Sequence, residues 1–389
     1  MTFFIGYNRE ARRAYGFDEV AIVPNNLTIN PSEINITTGL GTFGVKIPFI
    51  SSAMDGVVSP EFALKFATLG GIAVLNMDGI YTRYVDYQTV LNEIISAPQS
   101  KSTQVIQKIY KEPVKEKLIS ERVEYIKRGV NGSCLCAVST IPQNAPEFSR
   151  IAQEAGADIL FVQATILTVR HISSQYKSVD LKKLCSELKI PVVLGNCVSY
   201  DSALELMDTG CVGILVGVGP GSACTTRGVL GIGVPQVTAT IDCAAARDYH
   251  LRKTGRYVSI ITDGGMNTGG DICKAFVSGA DAVMLGSAFA RAVESPGKGY
   301  HWGMAMPHHF LPRGTKIFVG TTGTLEEILF GPARVDDGTQ NLVGALRTSM
   351  GCAGCGTIKE FQLAKLIIAP DIKSEGKLLQ KAQKVGMGK

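Results

Sequence analysis

Short apolar runs recur along the chain at near-regular intervals: PFISSAM (48–54), GIAVLNM (71–77), CLCAVST (134–140), DILFVQA (158–164), PVVLGNC (191–197), GILVGVG (213–219), VSIITDGG (258–265) and DAVMLGS (281–287). Most are continuous rather than alternating, which marks strands buried on both faces of a parallel sheet. Between them lie segments with helical spacing, such as PEFSRIAQEAGA, SALELMDTG and GDICKAFVSGA, each ending in a glycine suited to a helix C-cap. The turns EAGADIL, DTGCVGIL and VSGADAVML repeat one helix–Gly–strand connection. Eight such units predict a (β/α)8 TIM barrel formed by a single domain over residues 1–389.

Two gaps exceed the repeat. Residues 78–130 are polar and helical and too short for an inserted domain of ordinary size, so they predict a helical excursion of the second βα connection. Residues 295–345 are rich in Gly, Pro and His, which predicts a long loop acting as a flap or lid over the barrel mouth.

Composition narrows the function classes. No apolar run reaches ~18 residues, and MTFFIGYNREARR lacks the apolar stretch of a signal peptide, so the expectation is a cytoplasmic protein with no membrane partner. Lys+Arg 39 against Asp+Glu 34 gives +5, spread without a stripe, so nucleic acid is not an expected partner. Glycine is in excess, at 43 of 389 residues or about 11%, which implies many places where backbone approaches something closely. Ten cysteines in a reducing compartment read mostly as small buried hydrophobes.

Every apolar run ends in residues odd for a core: SSAMDG, NMDG, VST, QAT, GNC, GVGPGSACTTRG, TDGGM and LGS. These fall at the C-terminal ends of strands, where barrel enzymes build their active sites and where the loops after the last two strands commonly bind phosphate. Asp263-Gly264-Gly265 and Gly286-Ser287 occupy those two loops and read as a phosphomonoester site, with plain turn glycines as the alternative. Asp263 is either a cap for its loop or a bidentate acceptor for a ribose diol.

In the loop Gly217–Gly228, Cys224 is surrounded by glycines, the hydroxyls of Ser222, Thr225 and Thr226, and the cation Arg227. Such surroundings favour the thiolate and make Cys224 a candidate nucleophile, an inert thiol being the alternative. Cys134, Cys136, Cys197, Cys211 and Cys273 lie in or beside apolar elements and read as inert. Cys352 and Cys355 form a lone CxxC without two further zinc ligands at a matching spacing, which leaves a redox-sensitive pair as the open possibility.

These motifs, with YGFDEVAIVP near the start, GIGVPQ (231–236), GMA (303–305) and ALRTSMG (345–351), resemble the IMP dehydrogenase/GMP reductase family over nearly the whole chain. The resemblance implies that Cys224 attacks C2 of a purine nucleoside monophosphate. In the dehydrogenase, hydride passes to NAD and water hydrolyses the Cys224 thioimidate, converting IMP to XMP in guanine nucleotide biosynthesis. Thr226 would serve the hydrolytic step. Ser52 and Met54 would contact the nucleotide, Asp263 the ribose, and Ser222, Gly264, Gly265, Gly286 and Ser287 the phosphate. Gly303 and Met304 would lie against the base, Asn196 against the nicotinamide. Backbone carbonyls of Gly219, Gly221 and Cys224 would hold a monovalent cation, K+. A homotetramer or homo-octamer is implied.

Several positions depart from the family pattern. The excursion 78–130 stands where dehydrogenases carry inserted CBS modules, so the barrel is expected without them. Gln163 ends the fourth strand where an Asp usually touches the cofactor, and Val319 stands where a Glu or Gln recognises the base. The flap's Arg-Tyr pair is missing. Arg313, in LPRG, occupies a comparable loop and is the candidate water activator, with a solvated surface cation as the alternative. The pattern resembles the shorter, CBS-less, dehydrogenase-related branch found in bacteria. NAD-dependent IMP dehydrogenase is therefore the expected function. GMP reductase using NADPH is the nearest rival, although reductases tend to place Tyr where this chain has Val234. A non-catalytic nucleotide-binding paralogue is the third reading, but it would need neither Cys224 nor Thr226.

Overall fold

The computed structural model describes residues 2–129, 134–174, 178–303 and 315–388. All eight apolar runs are strands of one closed parallel barrel. In chain order they are β1 (Phe49–Ser51), β2 (Ile72–Asn76), β3 (Ala137–Thr140), β4 (Ile159–Gln163), β5 (Val192–Cys197), β6 (Gly213–Val216), β7 (Ser259–Asp263) and β8 (Ala282–Leu285). Closure comes from β8 pairing with β1, with Val283 opposite Phe49 and Leu285 opposite Ser51.

Strand side chains alternate between two apolar environments, which is why the runs are continuous. Ile72 and Val74 of β2 join the cluster inside the barrel, whereas Ala73 and Leu75 face the surrounding helices. The hairpin Thr38–Leu40/Phe43–Val45 adds Leu40 and Val45 to the inner cluster and so stoppers the end from which the strands start. The opposite end is left for the site. Helices cover the outside, and the glycines read as C-caps do turn the chain in the left-handed region: Gly156, Gly210 and Gly279 have φ of 99°, 104° and 108°.

The excursion after β2 consists of helices Tyr87–Ser96, Gln99–Ile109 and Glu116–Arg128. Their apolar faces, including Leu91, Ile94, Ile109 and Val123, pack into the outer core. Among the described residues no helix is long and apolar enough to cross a membrane.

The region 295–345 differs from the long loop expected. Tyr300–Trp302 pairs antiparallel with Lys316–Phe318, and helices Leu325–Phe330 and Leu342–Cys352 follow. Local composition misled because Gly and Pro mark the turns here while Trp302, Leu325 and Ile328, all nearly inaccessible, supply the packing. Lys316 anchors the second strand of the pair. Its ammonium is buried and donates to the carbonyls of Ile94 (3.0 Å), Ile95 (3.1 Å) and Ala97 (2.6 Å) at the end of the first excursion helix.

Candidate active site

A cavity of about 770 Å³ opens at the C-terminal end of the barrel. That lies toward the upper end of the ~300–1,000 Å³ typical of small-molecule sites. One wall is the loop after β6, whose path is set by tight packing on β7. Gly217 has φ of 153°, and a Cβ there would fall 2.3 Å from the Asp263 carbonyl oxygen. Buried Gln236 ties the same two strands, its Nε2 donating to the carbonyls of Val216 and Asp263 at 2.9 Å each. Arg227 grips the loop from outside, donating to the Val218 carbonyl at 3.2 Å and the Val234 carbonyl at 2.7 Å.

Cys224 is presented at the cavity by this loop. Its amide donates to the Gly221 carbonyl at 3.0 Å, and its thiol reaches Thr226 Oγ1 at 3.2 Å. Thr226 is buried behind the thiol, at the start of helix Thr226–Leu230, and is not part of the lining. Partial burial draws the Arg227 guanidinium below its ordinary value, while the neighbouring Cys224 sulfur acts the other way. Burial raises the thiols of Cys134, Cys136 and Cys211, and pushes Cys273 up to about 12.

Facing Cys224 are the loops after β7 and β8. Gly264 and Gly265, each with φ of 79°, turn tightly against Pro220 and Gly221. Ser222 Oγ and Ser287 Oγ lie 2.6 Å apart, joining the β6 and β8 loops. Ser287 Oγ is in turn 3.0 Å from His301 Nε2. Asp263 faces the cavity beneath this group and accepts from Asn196 Nδ2 at 2.8 Å. Desolvation by the cavity walls pushes its carboxyl up to about 6, against the Asn196 hydrogen bond.

The structure thus brings together in one lining Ser52, Met54, Gln163, Asn196, Gly219, Gly221, Ser222, Cys224, Asp263, Gly264, Gly265, Gly286, Ser287 and Gly303. Met304 and Arg313 lie outside the described residues. Val319 is not in the lining; its amide donates to the Gly299 carbonyl at 2.8 Å and its side chain packs on the core. Cys352 is exposed and Cys355 buried at the end of helix Leu342–Cys352, beside the N-terminal segment, where the Cys352 carbonyl accepts from Asn25.

Sequence reasoning did not select Asn76, Gln236 or His301. Asn76 was legible as a polar strand end in NMDG. His301 stands two residues before Gly303 in YHWG, on a strand hidden by the glycines around it.

Two groups implied by the resemblance can be tested against these residues. Among the described residues no hydrogen bond reaches the carbonyls of Gly219 or Cys224, and that of Gly221 takes only the Cys224 amide, so oxygen ligands for a monovalent cation are present. No cluster of three or more His, Cys, Asp or Glu suited to a metal occurs among the described residues. For a dinucleotide, the cavity extends past Cys224 and Asn196 to amide and hydroxyl groups of Gln163, Thr165 and Gln143. Those side chains offer the donors and acceptors a carboxamide needs, and the Asp78 carboxylate lies in the same lining.

Comparison with known proteins agrees. The profile of the IMP dehydrogenase/GMP reductase domain matches residues 14–308. An uncharacterised oxidoreductase of Mycolicibacterium smegmatis is 38% identical, covering 94% of this chain and 99% of its own. The inosine-5'-monophosphate dehydrogenase of Cryptosporidium parvum is 32% identical over 89% of each chain. An IMP dehydrogenase/GMP reductase-like protein of Corynebacterium glutamicum has a crystal structure that superposes with a TM-score of 0.89 at 35% identity, covering 94% of this chain and 97% of that one.

Proposed function

We propose, for a chain that belongs to the IMP dehydrogenase/GMP reductase family, that the cavity binds IMP and that the protein is an IMP dehydrogenase, making XMP with NAD for guanine nucleotide synthesis. Oxidoreductase chemistry comes with the family; the choice of IMP is the proposal. The observation that carries it is the position of the Cys224 thiol, 3.2 Å from Thr226 Oγ1 and across one cavity from the Ser222–Ser287 hydroxyl pair.

On this reading Ser222, Ser287 and the amides of Gly264, Gly265 and Gly286 hold the phosphate, and the Asp263 carboxylate accepts from both ribose hydroxyls. Ser52, Met54 and Gly303 flank the nucleotide. Cys224 Sγ, its proton released to solvent, then adds to C2 of the base, forming a C–S bond as the C2–N double bond opens. Asn196 and Gln163 would hold NAD, which would supply the acceptor for the hydride that leaves C2 as the C2–N double bond re-forms. Water adds to C2 of the thioimidate, the C–S bond breaks, and XMP leaves with the thiol restored; Thr226 Oγ1 is the group already at the sulfur. Carbonyls of Gly219, Gly221 and Cys224 would hold K+ and so order the nucleophile's loop. NADH formation from IMP and NAD tests the proposal. NADPH oxidation driven by GMP would instead make the protein a reductase, and neither reaction would leave a nucleotide-binding paralogue.

A further inference from the structure

His301 is almost wholly inaccessible, at 1% exposure, yet its ring edges onto the cavity and its Nε2 lies 3.0 Å from Ser287 Oγ. Among the described residues Nδ1 is buried without a hydrogen-bond partner. A neutral imidazole carries one N–H, and an orphaned buried N–H costs more than an orphaned lone pair. The proton therefore belongs on Nε2, where Ser287 Oγ accepts it. Burial, with the Arg291 charge adding to it, holds the imidazole down at about 4, so it carries no charge near neutral pH.

A hydroxyl that accepts from His301 keeps its own proton to give away. Ser287 can then donate only toward Ser222, 2.6 Å off, or toward a ligand, and Ser222 passes its proton on in turn. We infer that His301 is a positioning residue that turns a free O–H of the Ser287–Ser222 pair toward the ligand, favouring the acceptor-only, fully ionised phosphomonoester. The inference rests on the phosphate site proposed above and adds what sets the direction of its hydrogen bonds.

The test compares wild type with His301→Phe and His301→Gln, whose amide restores one donor near the Nε2 position. IMP and inosine affinities are measured by calorimetry, and the bound phosphate is titrated by phosphorus NMR. His301→Phe should weaken IMP about tenfold, the effect of one lost hydrogen bond to a charged chain. It should leave inosine unchanged and raise the pKa of the bound phosphate, and His301→Gln should reverse both changes. Ser287→Ala should cost less affinity for IMP in the His301→Phe background than in wild type. If IMP and inosine weaken equally, His301 is merely structural and the inference fails. It fails too if His301→Phe leaves the phosphate titration unmoved. Should His301→Phe not fold, a His301→Gln variant that loses IMP but not inosine would equally refute the donor role. Inosine binding without IMP binding in wild type would overturn the phosphate site itself.

Discussion

Asn196 donates its side-chain amide to the carboxylate of Asp263 at 2.8 Å, tying the end of β5 to the end of β7 across the cavity floor. The bond uses one oxygen, Oδ2, and orients the group rather than saturating it. Asp263 therefore keeps acceptor capacity for a ligand while sitting where water is scarce, and its carboxyl is pushed up to about 6.

That elevation gives the nucleotide affinity a pH dependence of definite sign. Two ribose hydroxyls donating to the carboxylate favour its ionised form, so the complex has a lower pKa than the free site and binding releases a proton. Affinity should rise with pH through about 6 and level off above it. The phosphate's own second ionisation, near ~6, adds a separate contribution. Asp263→Asn keeps the phosphate contribution and loses the carboxylate's, so calorimetry at pH 6 in buffers of different ionisation enthalpy should show fewer protons exchanged. Equal proton counts would remove Asp263 from the ribose site.

Cys224→Ala should abolish turnover and covalent adduct formation while IMP binding stays near normal, because the proposed ribose and phosphate contacts, Asp263, Ser222 and the β7 and β8 loops, do not include the thiol. Mass spectrometry of protein incubated with IMP and NAD checks the adduct, and calorimetry checks the binding. Substantial residual dehydrogenation would end the role given to the thiol.

All eight strands were legible because a fully buried parallel strand writes an unbroken apolar run, and the site was legible because polar residues at those runs' ends have no core role to play. What stayed hidden depends on long-range packing. Gln236 joins β6 to β7 from a helix, and nothing local in VPQV announces it. His301 and Lys316 lie in a Gly- and Pro-rich region whose strands exist only as each other's partners. Lys316 reads as a surface lysine until the end of a helix more than two hundred residues earlier in the chain closes over it.

Asp55 links the excursion to the loop bearing Met54. Its carboxylate accepts from Tyr110 at 2.5 Å and from the Ile80 amide at 2.7 Å, while Trp302 Nε1 donates to Tyr110 at 3.0 Å. Desolvation raises the carboxyl to about 6, with Tyr110 the largest opposing contribution. A carboxyl raised in the folded state contributes stability that is complete below its unfolded value near ~4 and lost as pH rises through about 6. Tyr110→Phe should widen that loss, destabilising the fold by about 1.5–3 kcal/mol at pH 7.5, where the carboxylate is charged, and by less at pH 5. Urea denaturation at both pH values measures it, and equal losses would contradict the charge-assisted bond.

Lys316→Met should destabilise the protein by about 1–3 kcal/mol, because three carbonyls at the end of helix Tyr87–Ser96 lose their buried donor. The neighbouring Thr315 amide donates to the Ala223 carbonyl at 3.1 Å, so the shift reaches the residue before the nucleophile. Adduct formation should slow along with the loss of stability. A variant equally stable in urea would show that the ammonium contributes no net stabilisation there.

The last expectation concerns the carbonyls of Gly219, Gly221 and Cys224. Arg227 already serves the flanking carbonyls of Val218 and Val234, so the loop's own cation serves none of these three oxygens. Gly219 adopts φ of 73°, and a Cβ there would fall 2.7 Å from Arg227 Cγ, so its carbonyl direction is tied to that arginine. A monovalent cation drawing the three oxygens together would hold Cys224 in place for attack without touching the phosphate or ribose contacts. Replacing a large organic cation with potassium at fixed ionic strength should therefore raise kcat and the rate of adduct formation while leaving the IMP dissociation constant almost unchanged. Gly219→Ala, which disturbs both the carbonyl and its arginine, should blunt the response. If rates are flat across potassium concentrations in wild type, these carbonyls hold no activating ion, and Arg227 and the loop's other protein contacts fix it unaided.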